Sequence, residues 1–339
     1  VTLTPNGSDK IGGVASIKVL DTEGQAVTII FIDSTQGWLV TDDGLQSSIG
    51  SGLIEATGGT ITTCGNDRIH TFTGPGTFEV TKAAVSATNN LVSYVVVAGG
   101  GGSGRSYGGG AGAGGYREVK SPVTPYTASP LDGYPSAPNR VTVSAQSYPI
   151  TVGAGGTKAA PSTPAGDGGV STFSTITSAG GGNAGHFDPN NATGGDGGSG
   201  GGGADGASSG GNGNTPPTSP AQGNNGGTSS PPGAASGGGG AGGVGVNANT
   251  PGPRRGGNGG AGVASEITGS SVTRAGGGGG FGVDTLGTGG SGGGGNGACA
   301  GSAGTANTGG GAGGAGSQPN PGTLSTGGSG IVIIRYKFQ

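Results

Sequence analysis

The chain has 339 residues, long enough for two or three domains, yet only 29% are hydrophobic and 9% charged, while 91 are glycine. A net charge of −3 with no basic run excludes the counterion-release footprint of a nucleic-acid-binding surface. The longest apolar stretches, residues 92–98 and 331–334, fall far short of the roughly 18 residues of a membrane span, so no membrane insertion is expected.

Glycine is unevenly placed. Thirteen glycines precede residue 99 and none follows Gly330, so 91 − 13 leaves 78 between residues 99 and 330. Roughly one residue in three there has no side chain to bury, and ordinary hydrophobic collapse cannot organise the region. The opening at Val1 and the lack of Met are expected of a processed product, a fragment or a sequence read without its true start. Cys64 and Cys299 are too few for a disulfide framework and are expected to be unpaired, packed thiols.

From the N-terminus, the β-branched segments 15–20, 26–32 and 38–41, punctuated by Gly24, Gly37 and Gly44, predict short antiparallel strands. A second block, with strand patterns at 59–63, 68–73, 76–81 and 91–97, alternates with period two between Gly or Asn-Asp turns. No segment carries a helical apolar stripe. From Gly99 the texture changes to irregularly spaced glycine runs with no Gly-X-Y register, which excludes collagen. Interleaved strand-like pieces lie at 116–119, 140–143, 148–152 and 171–176, and the chain closes on the β-prone segment 331–338.

The expected fold is mainly β with an irregular glycine-rich region. An N-terminal β module (1–57) and a second β module (58–98) precede a glycine-rich domain (99–339) with interleaved strands (116–176) and a C-terminal strand (331–338). Two readings of residues 99–330 compete. By composition the segment is disordered, because it cannot recover the entropy of ordering. Alternatively it is a packed array of extended left-handed helices of polyglycine II type, in which glycine lets helices approach and bond through their backbones. The array is the expected form, clamped by 94–98 and 331–338 lying side by side.

Chemistry is sparse. Gly-x-Ser-x-Gly occurs around Ser199 and Ser291, but such matches arise by chance in this composition. The two histidines, His70 and His186, both precede these serines, against the order a nucleophile elbow requires. Residues 279–287 fit a calcium β-roll nonapeptide around Asp284. Such sites need tandem copies, so a solvated turn aspartate is the expected reading. No enzyme activity, cofactor or metal is expected.

The ordered series Tyr94-Val-Val-Val-Ala-Gly-Gly-Gly-Gly, Gly112-Ala-Gly-Gly-Tyr-Arg-Glu, Tyr148-Pro-Ile-Thr-Val-Gly-Ala-Gly-Gly, Ser171-Thr-Phe-Ser-Thr-Ile and Gly328-Ser-Gly-Ile-Val-Ile-Ile-Arg-Tyr resembles the glycine-rich domain of bacteriophage tail-fibre and adhesin proteins. The opening Val1-Thr-Leu-Thr-Pro-Asn-Gly-Ser, with Gly37-Trp-Leu-Val-Thr-Asp-Asp, is similar to a short β-module of phage fibre chains. The resemblance implies a structural protein at the virion surface, most simply a tail fibre. Its loops 120–139, 183–193, 212–233 and 247–255 would meet a bacterial receptor, a saccharide or an outer-membrane protein. Receptor-contact candidates are Tyr126, Tyr134, His186, Phe187, Arg254 and Arg255, since aromatic and arginine side chains dominate binding energy. Other virion proteins would bind the N-terminal module, and a homotrimer is expected. Alternative readings are an ice-binding or extracellular matrix glycine-rich protein, and a capsid surface decoration with no receptor role.

Overall fold

The computed structural model describes residues 2–11, 15, 18–19, 27–42, 52–160, 163–187, 192–230, 232–248, 252–316 and 324–339. It divides into two units, residues 1–53 (with Gln339) and residues 54–338. In the first, β1 (Thr2–Leu3) pairs with β2 (Lys18–Val19), and β3 (Thr28–Asp33) with β4 (Gly37–Asp42), all antiparallel. The β3–β4 turn is closed by Asp33, whose Oδ1 accepts the N–H groups of Thr35 and Gln36 at 2.7 Å. The ribbon leaves Ile30, Phe31 and Ile32 about half exposed, more apolar surface than two strands cover by themselves.

The second unit is built on two antiparallel sheets. Its strands are β5 (Glu55–Thr57), β6 (Thr60–Cys64), β7 (Asp67–Phe72), β8 (Gly76–Lys82), β9 (Leu91–Val97), β10 (Tyr116–Val119), β11 (Val141–Thr142), β12 (Ser147–Thr151), β13 (Ser171–Phe173), β14 (Ile176–Ser178), β15 (Val263–Ser265), β16 (Val272–Arg274) and β17 (Ile331–Lys337). One sheet runs β6–β7–β17–β9–β10, with β11 on the same edge of β9 as β10; the other runs β5–β8–β12–β13–β14. Segment 171–176, which reads as one strand in sequence, is a tight hairpin, because Ser174 turns the chain with a φ of 53°.

The period-two rule explains the layering. Val92, Tyr94 and Val96 of β9 and Val332, Ile334 and Tyr336 of β17 face the second sheet, where they meet Phe78, Val80, Ile150 and Phe173. The alternate residues, Val95, Val97, Ile331 and Ile333, face the other way, onto Ala113, Ala241 and Ala275 of the glycine-rich region and Val263 and Ile267 at the β15–β16 hairpin. With both faces covered, β9 and β17 read as continuous apolar runs rather than alternating ones. Each fully buried Val or Ile adds about 1.5–3 kcal/mol.

Val97 lies opposite Ile331, so the chain between them starts and ends on two neighbouring strands, returning to the sheets as β10 to β14 on the way. Two buried polar contacts of the same sheet centre on β17. His70 Nδ1 lies 2.7 Å from the Gly58 carbonyl, which only accepts, so Nδ1 carries the proton and Nε2 accepts from the Tyr336 hydroxyl at 3.0 Å. Arg335, 2% exposed, bonds Asp67 through Nε at 2.8 Å and Nη2 at 2.7 Å, and the carbonyls of Ile267 and Pro125. One residue thereby ties β17 to β7, to the β15–β16 turn and to the loop after β10.

The glycine-rich region is an array of extended helices bonded through their backbones. In the run 108–115, Gly108, Ala111 and Gly114 donate to Ala315, Ala312 and Gly309; Gly109, Gly112 and Gly115 donate to Gly185, Gly182 and Ala179; Gly110 and Ala113 donate to Ser236 and Gly239. Every third amide returns to the same neighbour, the three-residue turn of the polyglycine II conformation. Three further runs donate to its carbonyls: Gly101 and Ala98 to Gly112 and Gly115, Gly202 and Ser199 to Gly110 and Ala113, and Gly278 and Phe281 to Ala111 and Gly108. This central helix thus has six neighbours, and all its amides are paired. None of the glycines between 99 and 115 enters the positive-φ region, so glycine serves here for close approach. A Cβ at Gly110, Gly238 or Gly278 would collide with the backbone of the adjoining helix. Alanine is kept where a methyl faces an interstice, as with Ala111, Ala184 and Ala312, which pack on one another.

Candidate functional site

The run 98–104 leaves the sheet from β9, turns at 105–107 and returns as 108–115 into β10, so that turn marks the end of the array away from the sheets. Several neighbouring turns gather there. The Phe187 N–H donates to Ser106 O at 3.2 Å, the Asp205 N–H to Tyr107 O at 3.1 Å and the Phe281 N–H to Gly108 O at 3.1 Å. Beyond Phe281, the Asp284 N–H bonds Arg254 O at 3.1 Å, and Arg255 forms a parallel bridge with Thr285.

Four of the six candidate contact residues, His186, Phe187, Arg254 and Arg255, therefore fall at this distal end. Phe187 is 56% exposed. His186 beside it is buried, which makes it a packing residue of the turn. Arg254 and Asp284 form an exposed two-pronged pair: Nη2 donates to Oδ1 at 3.1 Å, Nε to Oδ2 at 3.3 Å, and the Arg254 backbone N–H to Oδ2 at 2.8 Å. These bonds hold the Asp284 carboxyl below its ordinary pKa and the Arg254 guanidinium above its own. The Asp284 carboxylate is thus committed to an arginine, and among the described residues no three His, Cys, Asp or Glu side chains are grouped to hold a metal ion.

Tyr126 and Tyr134 lie elsewhere, in the loop after β10, beside the sheets. The Tyr126 ring sits 5.2 Å from the Arg335 guanidinium and its hydroxyl points at Val119 O, with burial pushing the phenol pKa up. Tyr134 stacks under Arg140 at 4.4 Å. Loop 120–139 is pinned rather than presented: buried Glu118 accepts from the Tyr116 hydroxyl, the Ser129 N–H and the Ser265 hydroxyl. Loop 212–233 is likewise tied down over 214–222, where the buried Gln222 amide bonds Ala179 N and Pro216 O. Residues 188–191 and 249–251 of the other two loops lie outside the described residues. Ser199 is fully buried, and of the two free cysteines Cys64 is half-buried while Cys299 is exposed.

Sequence reasoning missed Tyr107. Its ring meets Phe281 edge-on, with centroids 5.4 Å apart and planes at 69°. Ser106 and Tyr107 have φ of 52° and 56°, two consecutive side-chain-bearing residues in left-handed geometry, where each costs about 1–2 kcal/mol. Glycine, so abundant on either side, would avoid this cost; a Ser-Tyr pair keeps a phenol at the tip instead. The signal was present in sequence as the bulky triplet Arg105-Ser-Tyr between two glycine runs. An open groove of about 480 Å³ lies elsewhere on the array, lined among others by Leu131, Ala221, Asn224, Ala241 and Val263, and none of its lining residues is titratable.

A search of curated proteins gives no match to the chain. The family described as glycine-rich domain matches residues 71–337, a span that reaches from the end of β7 to the end of β17 and encloses the whole array. The chain belongs to the glycine-rich domain family.

Proposed function

We propose that this protein is a non-enzymatic, adhesive component of a bacteriophage particle, a tail fibre in the simplest form, whose distal loops contact the host surface. The carrying observation is the placement of side chains. In a region that is one-third glycine, Tyr107, Phe187, Arg254 and Asp284 are gathered at the end of the array remote from the sheets, on a backbone bonded to its neighbours. Loops held this way vary without disturbing what supports them. The ordered likeness of the glycine runs to those of fibre proteins supports the same reading. The apolar β3–β4 ribbon of the first unit supplies a surface for other virion proteins or for further copies of the chain, with a trimer expected.

The test is adhesion. Purified, assembled protein is expected to bind host cells saturably, to compete with phage adsorption, and to do so without consuming a substrate. Binding by a few loops is weak per chain, so several copies supply avidity and the oligomer is the species to assay. Adsorption unaffected by excess assembled protein and by antibodies against 183–193 and 247–255 would reduce the chain to a passive virion decoration.

A further inference from the structure

The distal end combines three features that point to one ligand chemistry. Tyr107 is held at a turn in left-handed geometry and braced edge-on by Phe281, which fixes the plane of the ring. Phe187, on the adjoining turn, is exposed and bonded through its N–H to Ser106 O. Asp284, three residues beyond the Phe281 that meets Tyr107, forms an exposed planar pair with Arg254, so donors and acceptors stand side by side at the surface.

A pyranose ring has the complementary chemistry. One face carries C–H groups that pack on an aromatic ring, and its rim carries adjacent hydroxyls, each both donor and acceptor. With lone pairs left beyond its bonds to Arg254, the Asp284 carboxylate would accept from one hydroxyl while Arg254 donates to the next, a pairing that a planar fork makes geometrically specific. Aromatic rings with few rotatable bonds lose little entropy in such a contact. A protein receptor would need a broad patch of about 800 Å² per side with apolar anchors at its centre, whereas the bulky side chains here are few and set among bare glycine backbone.

We propose that the distal end binds a saccharide, with Tyr107 and Phe187 as stacking faces and the Arg254–Asp284 pair reading adjacent hydroxyls. The proposal rests on the adhesive reading and narrows its ligand to a surface polysaccharide.

The assembled protein is tested on an immobilised panel of hexose and hexosamine oligosaccharides, alongside adhesion to intact cells. Wild type is expected to bind at least one member, and Tyr107→Gly to lose at least tenfold in affinity while melting at or above the wild-type temperature, because glycine accepts a φ of 56° without strain. Phe187→Ala, at an exposed side chain, and Asp284→Asn are expected to weaken binding too. Panel binding unchanged in Tyr107→Gly and Asp284→Asn overturns the proposal. So does adhesion to cells with no panel member bound, which leaves the adhesive reading standing with a protein receptor. Absence of both kinds of binding removes the adhesive reading itself.

Discussion

Gly238→Val is expected to lower the melting temperature by about 10 °C. Gly238 donates to Gly278 O and accepts from Gly260 N–H, both at 2.9 Å, and a Cβ on it would strike the backbone at Ala111 in the central helix. Backbone has no rotamer to give way, so the helices must separate. Two buried bonds are then left open at about 1–3 kcal/mol each, and overpacking adds about 1–3 kcal/mol. A sum of about 6 kcal/mol, the middle of these ranges, corresponds to that shift in a chain of this size. Gly278→Val should behave alike, since its Cβ would strike Ala312 O. Phe187→Ala is the matching control and should melt with wild type; His186 is unsuitable for that purpose because it is buried. If Gly238→Val melts with wild type in a calorimetric scan, the helices are not packed at that site.

Asp67→Ala is expected to cost about 3–5 kcal/mol, because it leaves the Arg335 guanidinium charged and dry. Both side chains are 2% exposed, so water cannot replace the lost partner. The pair is not optimal, since Asp67 Oδ1 has no hydrogen-bond partner, and Asp67 acts through Oδ2 alone, as counter-charge and as acceptor. Replacing both, as Asp67→Ala with Arg335→Met, removes the stranded charge and should cost less than the two single changes added together. The double variant should not return to wild type, because the carbonyls of Ile267 and Pro125 lose their donors. Urea titration of the four proteins reads the cycle. Strict additivity would mean that the two charges do not stabilise one another.

The sequence showed the strands whose burial is simple. β9 and β17 announced themselves as apolar β-branched runs, and their adjacency followed from lying at the two ends of the glycine-rich region. β15 and β16 did not, because Val-Ala-Ser and Val-Thr-Arg owe their strand form to the sheet they cover, a contact more than 160 residues away in sequence from β9. The hairpin within 171–176 was hidden because serine carries no mark of left-handed geometry. Glycine composition by itself read as disorder and only permitted close-packed helices, and it did not say which run neighbours which, since identical residues carry no registry. At the candidate site, Phe187 and Arg254 stood out as an aromatic and an arginine side chain in a glycine background, and both lie at the distal end of the array. Tyr126 stood out equally, but its ring lies against Arg335, a partner 209 positions on (335 − 126) that no local pattern reveals. Edge residues carry a further signal that composition hides: Asp167, Asp196 and Asn258 accept the amides of Asn183, Asn212 and Thr288, standing in for a carbonyl of an absent neighbour helix.

The most direct test of the account is amide hydrogen exchange along residues 108–115, resolved residue by residue by NMR. All eight amides donate to a neighbouring helix at 2.8–3.0 Å, so they are expected to be protected to a degree comparable with the amides of β9, opening only with the global unfolding of the unit. Exchange of these glycines at the rate of a free chain, with β9 still protected, would show a flexible tether between two strands and would contradict the rigid scaffold on which the adhesive reading depends.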